Sequence, residues 1–280
     1  MTGIEQQPFT VELGNDLFLR GNVHAPKEQT ERPVVIICHG FKGHKDWNFF
    51  PYAADELAAN GFYAIRFNFS CNGVNEEDFD ELEKFAGNTY TRELKDLDAL
   101  FEQMKARALP FSEHFEMDHI GMVGHSRGGA SSIIFASEHP EIKAVVTWNG
   151  VAEVDFLGED LKNEIRENGV GYIENKRTKQ DMPIKSNLLE DIEHNKERFD
   201  IVATLKQMNT PVHIVQGGAD GQWLREGAEK MNDTAAQHSL AIIEGGTHTF
   251  NAAHPLQDVP SQLRGALIET TAFFQQQIKK

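Results

Sequence analysis

Cysteine is scarce in this chain: the 280 residues hold only Cys38 and Cys71, each near the end of an apolar run. Two thiols so placed make no disulfide framework, and neither has a metal-ligand spacing to a histidine, so both read as buried thiols of a reducing compartment. Positive charge is also short. Lysine and arginine total 27 against 43 aspartate and glutamate, a formal net charge of −16 with histidine neutral. No local basic patch breaks that balance. It argues against a nucleic acid or an anionic membrane surface as partner, since both are bound chiefly through neutralising cations. Long hydrophobic runs are missing as well. The longest obvious one, Val34 to Cys38, is far short of the ~20 residues a spanning helix needs, and the opening MTGIEQQPFTVE has neither a cationic start nor an apolar stretch. The expectation is a cytoplasmic chain with no membrane segment. Internal repeats and low-complexity tracts are lacking too.

What is present is enough apolar material, 40% of residues, for a sizeable core in one α/β domain over residues 1–280. Apolar runs bounded by glycine or proline alternate with longer amphipathic stretches, the pattern of a mainly parallel sheet flanked by helices. The runs are Val34–Ile37, Tyr63–Phe67, Ile120–Val123, Ala144–Val146, Val212–Val215 and Leu240–Ile243. Before them, Phe9–Glu12 and Leu17–Arg20 flank Gly14-Asn15-Asp16 as an antiparallel hairpin, giving eight strands. Helices are expected at about 47–60, 89–107, 127–138, 222–232 and 260–278; in the last, Leu263, Leu267, Phe274 and Ile278 recur at helical spacing. One stretch breaks the rhythm. Between Phe156 and Asp200, 19 of 45 residues are charged, against 25% overall, so residues 155–205 read as an insertion outside the sheet, with a hairpin around Tyr172–Ile184.

Gly124-His125-Ser126-Arg127-Gly128 matches G-x-S-x-G. The motif alone is weak, but it directly follows the run Ile120–Val123 and directly precedes an amphipathic stretch, the strand-to-helix setting of a nucleophile elbow. A serine hydroxyl needs a base oriented by an acid. Of twelve histidines, His248 follows the final run and Gly245-Gly246-Thr247, at the carboxyl end of a strand, with His254 the nearest rival. Asp220 ends Gly217-Gly218-Ala219 just past the preceding run. Glu153 and Asp155, after the sixth strand, remain open as alternatives for the acid. Backbone N–H groups of Phe41 and Arg127 are the candidates for an oxyanion hole, while His39 reads as a turn-stabilising residue. Trp47, Trp148, Trp223, Phe41, Phe250 and Tyr172 are candidates for the substrate pocket or its apolar walls. The acidic run from Glu76 to Glu83 lacks calcium-loop spacing and reads as a solvated face, so no metal is assigned.

The order Ser126, Asp220, His248, together with His39-Gly40-Phe41-Lys42-Gly43 and Gly246-Thr247-His248-Thr249-Phe250, resembles the α/β-hydrolase superfamily over most of the chain. Within it, the sequence is similar to the small esterase, feruloyl-esterase and dienelactone-hydrolase-like group. It departs from dienelactone hydrolases proper in carrying serine where they carry cysteine. The resemblance implies a serine carboxylesterase without a cofactor, acting on a small-molecule ester, with residues 155–205 as a lid. A peptidase or thioesterase of the same fold, or a silent binding scaffold, stays open, and the oligomeric state is unassigned.

Overall fold

In the computed structural model, which describes residues 4–234 and 236–279, the expected hairpin forms from β1 (Glu5–Gly14) and β2 (Leu17–Ala25). Its turn places Gly14, Asn15 and Asp16 at positive φ, where short polar residues and glycine are tolerated. There follow β3 (Arg32–Cys38), α1 (Phe50–Ala59), β4 (Tyr63–Asn68), a short α2 (Leu82–Ala86), α3 (Tyr90–Lys105), β5 (Phe115–His125), α4 (Arg127–Glu138) and β6 (Ile142–Trp148). After an inserted group come β9 (Val212–Gly217), α8 (Gln222–Asn232), β10 (Ser239–Ile243) and α9 (Ser261–Gln277). The inserted group is α5 (Glu159–Asn168), β7 (Val170–Asn175), β8 (Gln180–Lys185), α6 (Ser186–His194) and α7 (Ile201–Gln207).

The main sheet has eight strands in the order β1-β2-β4-β3-β5-β6-β9-β10. β1 and β2 are antiparallel to their neighbours, and every pair from β4 onward is parallel. Side chains alternate along each strand, so β3 sends Val34 and Ile36 to one face and Val35 and Ile37 to the other. The first face packs against Leu94, Leu97 and Phe101 of α3 and Ile133 and Ile134 of α4. The second packs against Phe50 and Leu57 of α1 and Leu263, Leu267 and Phe274 of α9. Burial on both faces explains why these strands read as continuous apolar runs, each fully buried Val, Leu or Ile contributing roughly 1.5–3 kcal/mol. Cys38 and Cys71 are buried free thiols. No helix among the described residues is long and apolar enough to cross a membrane.

The insertion stands outside the eight-stranded sheet, but it is not a polar appendage. Ile165, Leu188, Phe199, Ile201 and Leu205 are buried in the same apolar cluster as α3 and α4. Met182 of β8 packs with Val74, Phe79 and Phe85. The high charge count reflects the outer faces of short amphipathic elements, whose inner positions are few enough to be outvoted in composition. The acidic run is also more than a solvated face: Asp78 pairs with Arg177 and Glu83 with Lys185, fastening the β7–β8 hairpin to this loop. Asp80 turns inward on the loop instead, its carboxylate accepting from the N–H groups of Asn75, Glu76 and Glu77. Burial opposes its ionisation, yet these three amides hold the Asp80 carboxyl below the usual carboxylate range.

Candidate functional site

Ser126 stands between the end of β5 and the start of α4 with φ 55° and ψ −120°. A non-glycine residue at positive φ costs on the order of 1–3 kcal/mol and persists only where its surroundings enforce it. Here the Ser126 N–H donates to Trp148 O at 2.9 Å, and its carbonyl accepts from Gly129 N–H at 3.0 Å. Glycine at 128 is a requirement of the same turn. A Cβ there would lie 2.5 Å from the carbonyl oxygens of both Cys38 and His39, so α4 could not start against the end of β3. The half-buried Ser126 side chain then faces a cleft of about 530 Å³, also lined by Phe41, Trp47, His125, His248 and the end of β7.

His248 reaches the cleft from the loop after β10, and its Nδ1 lies 2.9 Å from Asp220 Oδ2. Asp220 is carried on the turn after β9; its side chain is 5% exposed and that of His248 38%. Burial alone would raise the Asp220 carboxyl. The hydrogen bond from His248, its charge when protonated, and the Gly221 N–H and Gln216 side chain outweigh that and hold it below the usual aspartate value. An ionised Asp220 only accepts, so the neutral His248 ring carries its proton on Nδ1 and keeps the Nε2 lone pair free. His248 and Ser126 both line the cleft, but the hydrogen bonds among the described residues include none between Ser126 Oγ and His248 Nε2.

The Phe41 and Arg127 amides donate to no protein acceptor among the described residues. The Arg127 side chain turns away from the cleft. It is buried with Nε 2.8 Å from Glu93 Oε1 and its guanidinium 4.0 Å from the Tyr90 ring centroid. Glu93 also accepts from Ser131 Oγ at 2.7 Å and Asn88 Nδ2 at 2.9 Å, which ties α4 to α3 beneath the serine. His39 is a turn residue, as expected: its Nε2 accepts from Phe69 N–H and its Nδ1 faces Gly40 O at 3.0 Å.

Two neighbours of the site carried no functional weight in the sequence. His125 Nε2 donates to His248 O at 2.8 Å, and Asn149 Nδ2 donates to the same oxygen at 2.9 Å. Asn149 is fully buried with φ 50° at the end of β6, and its Oδ1 accepts from Gly217 N–H at 2.7 Å. The available signal was Trp148-Asn149-Gly150 at a strand end, since Asn tolerates positive φ better than most residues. Burial pushes the His125 ring down to about 3, with the charge of His248 acting in the same direction, so it is a neutral donor.

Four expected pocket residues lie elsewhere, and none lines the cleft that holds Ser126. Trp148 is fully buried under the sheet edge, its Nε1 donating to Thr270 Oγ1 at 2.8 Å, and Phe250 packs edge-on against it. Trp223 is exposed on α8. Tyr172 is 53% exposed because strand alternation puts it opposite Ile173 and Asn175, which do line the cleft. The Phe41 ring rests between Phe85 and Phe156. The alternatives for the acid are engaged elsewhere: Asp155 pairs with Lys162 at 2.7 Å and Glu153 with Lys230 at 3.6 Å. His254 Nδ1 accepts from Asn48 N–H. His44, Asp78 and His254 bring one ligand atom each within 4.8 Å of one another. Arg177, however, already neutralises Asp78.

The dienelactone hydrolase family profile matches residues 19–278. Over 135 residues, 46% of this chain, the sequence is 27% identical to acylamino-acid-releasing enzyme from Homo sapiens; the match spans only 17% of that enzyme's length. Est1E from Butyrivibrio proteoclasticus, solved with ferulic acid bound, superposes with a TM-score of 0.72 at 21% identity, covering 97% of this chain and 100% of that one. Acylaminoacyl peptidase from Pyrococcus horikoshii superposes with a TM-score of 0.68 at 19% identity, covering 99% of this chain and 42% of that one. These structures share the fold, and the profile extends over nearly all of the sheet and the cleft: the chain belongs to the dienelactone hydrolase family and has the α/β-hydrolase fold.

Proposed function

We propose that the protein is a serine hydrolase of small carboxylic esters that works through an acyl-enzyme on Ser126. The observation that carries this reading is the 2.9 Å contact of His248 Nδ1 with the buried Asp220 carboxylate, at a cleft that also holds Ser126 in a strained turn. In the first half-reaction, Ser126 Oγ attacks the ester carbonyl carbon while His248 Nε2 takes the hydroxyl proton. Asp220 holds Nδ1–H and stabilises the imidazolium. The N–H groups of Phe41 and Arg127 donate to the developing oxyanion, each worth roughly 100- to 1,000-fold in rate at such a site. Collapse breaks the C–O bond, and the alcohol leaves with the proton from His248. Water then attacks the acyl carbon, giving its proton to His248, and the acid departs as Ser126 is restored. This cycle needs neither metal nor cofactor.

The wall contributed by Ile173, Asn175, Lys176 and Arg177 supports reading the insertion, residues 155–205, as the lid that selects the substrate. A second reading is cleavage of N-acyl-aminoacyl amides, favoured by the 27% identity over 135 residues to the human enzyme. Labelling with a fluorophosphonate tests the shared mechanism, with Ser126→Ala as control. Turnover of matched ester, thioester and aminoacyl-amide substrates then ranks the readings. Folded protein whose Ser126 ignores the phosphonate would be a binding scaffold instead.

A further inference from the structure

Strand β9 reads Val-His-Ile-Val-Gln-Gly, and its glutamine departs from the apolar pattern of its face. Alternation puts Val215 on the α9 side of the sheet and turns Val212, Ile214 and Gln216 the other way, toward Ala228 and Met231 of α8. Gln216 is fully buried there. Its Nε2 donates to Gly217 O at 3.2 Å and to Asp220 Oδ2 at 3.3 Å, the two ends of the turn that carries the candidate acid. Its Oε1 is buried with no donor among the described residues. Exchanging the amide atoms would set Oε1 against two acceptors, so the partners of Nε2 fix the orientation. A buried acceptor without a donor is unfavourable to folding, and a leucine or methionine at 216 would avoid it. What the glutamine adds that those residues cannot is a grip on Asp220.

Asp220 Oδ1 accepts from Gly221 N–H at 2.7 Å, whereas Oδ2 accepts from both His248 Nδ1, at 2.9 Å, and Gln216 Nε2. We propose that Gln216 is a positioning residue of the hydrolytic site: it holds the Asp220 carboxylate with Oδ2 toward His248 and, by sharing that oxygen, limits the negative charge presented to the imidazole. A donor on a carboxylate stabilises its ionised form, so without Gln216 the undiminished charge of Asp220 would hold the His248 imidazolium more strongly. An imidazolium held too strongly is slower to return its proton to the leaving alcohol. The other charged or titratable groups in contact with this pair are His125, a buried neutral ring whose centroid lies 4.8 Å from that of His248, and Arg225 of α8, whose Nε donates to Asp220 O at 3.2 Å. Neither touches Oδ2. The inference rests on the ester-hydrolase reading of Ser126, His248 and Asp220.

The test is Gln216→Met, which keeps the length of the side chain and removes the donor. Turnover of p-nitrophenyl butyrate should fall about tenfold in kcat with KM little changed, because Gln216 does not line the cleft. The acid limb of kcat/KM should move to higher pH by about half a unit or more, the direction of a more strongly held imidazolium. The urea midpoint should equal or exceed that of wild type, since the unpartnered Oε1 is gone. In an Asp220→Asn background the same substitution should change kcat by less than about twofold, as its effect runs through Asp220. In the wild-type protein the Gln216 side-chain amide protons, followed by NMR, should shift as His248 titrates, a measurement that needs no variant. A folded Gln216→Met with wild-type kcat and an unmoved acid limb would overturn the assignment. So would an undiminished loss in the Asp220→Asn background, a joint fall of kcat and urea midpoint with the limb unmoved, or amide protons that stay flat with pH. Absent turnover by the wild type together with a Ser126 unlabelled by a fluorophosphonate would instead remove the mechanism on which it rests.

Discussion

The side-chain amide of Asn149 donates to the carbonyl oxygen of His248 at 2.9 Å, fixing the candidate base through its own backbone. The same amide accepts from Gly217 N–H, so one buried residue at the end of β6 spans the loops that carry Asp220 and His248. Gly217 completes this junction. A Cβ there would meet Thr247 O at 2.8 Å, and the two loops could not close on each other. The Asp220–His248 hydrogen bond is therefore a product of the scaffold and not of two mobile side chains finding each other.

Removing that clasp should cost both stability and turnover. Asn149→Ala leaves Gly217 N–H buried without its partner, a loss of about 1–3 kcal/mol. Misplacement of His248 by a fraction of an ångström should lower kcat by roughly 10- to 100-fold with less effect on KM. Because residue 149 sits at φ 50°, Asn149→Gly should recover part of the stability without the activity. Urea unfolding and steady-state kinetics on p-nitrophenyl butyrate read the two effects separately.

Ser126→Ala should reduce ester turnover by about ten-thousand-fold or more and abolish phosphonate labelling. Far-ultraviolet circular dichroism should be unchanged, since the turn is held by backbone hydrogen bonds, Ser126 N–H donating to Trp148 O and Gly129 N–H donating to Ser126 O. Wild-type turnover by this variant would assign the chemistry to another residue.

Asp220→Asn should depress kcat far more than Glu153→Gln or Asp155→Asn, whose carboxylates face lysines away from His248. It should also alter acid stability in a defined direction. The Asp220 carboxyl is lower in the folded than in the unfolded chain, so its contribution is complete above about pH 4 and is lost as pH falls through the folded value. The wild-type midpoint in urea should consequently fall more steeply below pH 4 than that of Asp220→Asn.

A second acid-sensitive range lies higher. Burial pushes His39 and His125 down to about 3 in the folded protein, whereas in the unfolded chain they titrate near the usual 6.5. Above that value both states are neutral and the two rings leave stability independent of pH. Below it the unfolded chain alone binds the protons, so each ring removes about 1.4 kcal/mol per pH unit until its folded value is reached. Urea midpoints should begin to decline below about pH 6.5; a flat profile between pH 6 and pH 4 would contradict the buried neutral assignment.

Ile173→Ala and Arg177→Gln should reorder the preference among acetyl, butyryl, octanoyl and feruloyl esters, since Ile173 lines the cleft and Arg177 anchors its hairpin to Asp78. Replacing the whole of residues 155–205 is a poor test of the same idea. It would remove Ile165, Leu188 and Phe199 from the core, and each large apolar side chain lost there costs about 2–5 kcal/mol.

The sheet was legible in the sequence because strands buried on both faces must be continuously apolar, and Val34–Ile37 or Val212–Val215 permit little else. The candidate site was legible where backbone geometry demands particular residues: Gly128 beside Ser126, and the Gly217-Gly218 turn before Asp220. Trp148 and Phe250 show where such reading stops. Both are adjacent in sequence to the cleft edge, but adjacency does not state which way a side chain points, and both point into the core. Asn149 escaped for the opposite reason. Its function is to satisfy backbone groups on two distant loops, and that partnership exists only after β6 and β9 have paired.

That last dependence gives the molecule a built-in readout of its own assembly. Ser126 and the strand before it are complete early in the chain, but Asp220 joins them only when β9 docks beside β6, closing a connection that runs from residue 149 to residue 211. His248 follows only when β10 adds to β9. Parallel pairing across so long a connection is among the slower events of folding. On the mechanism proposed above, a chain arrested before it holds Ser126 without its base, and ester turnover should report completion of the sheet's far edge more strictly than helical content does.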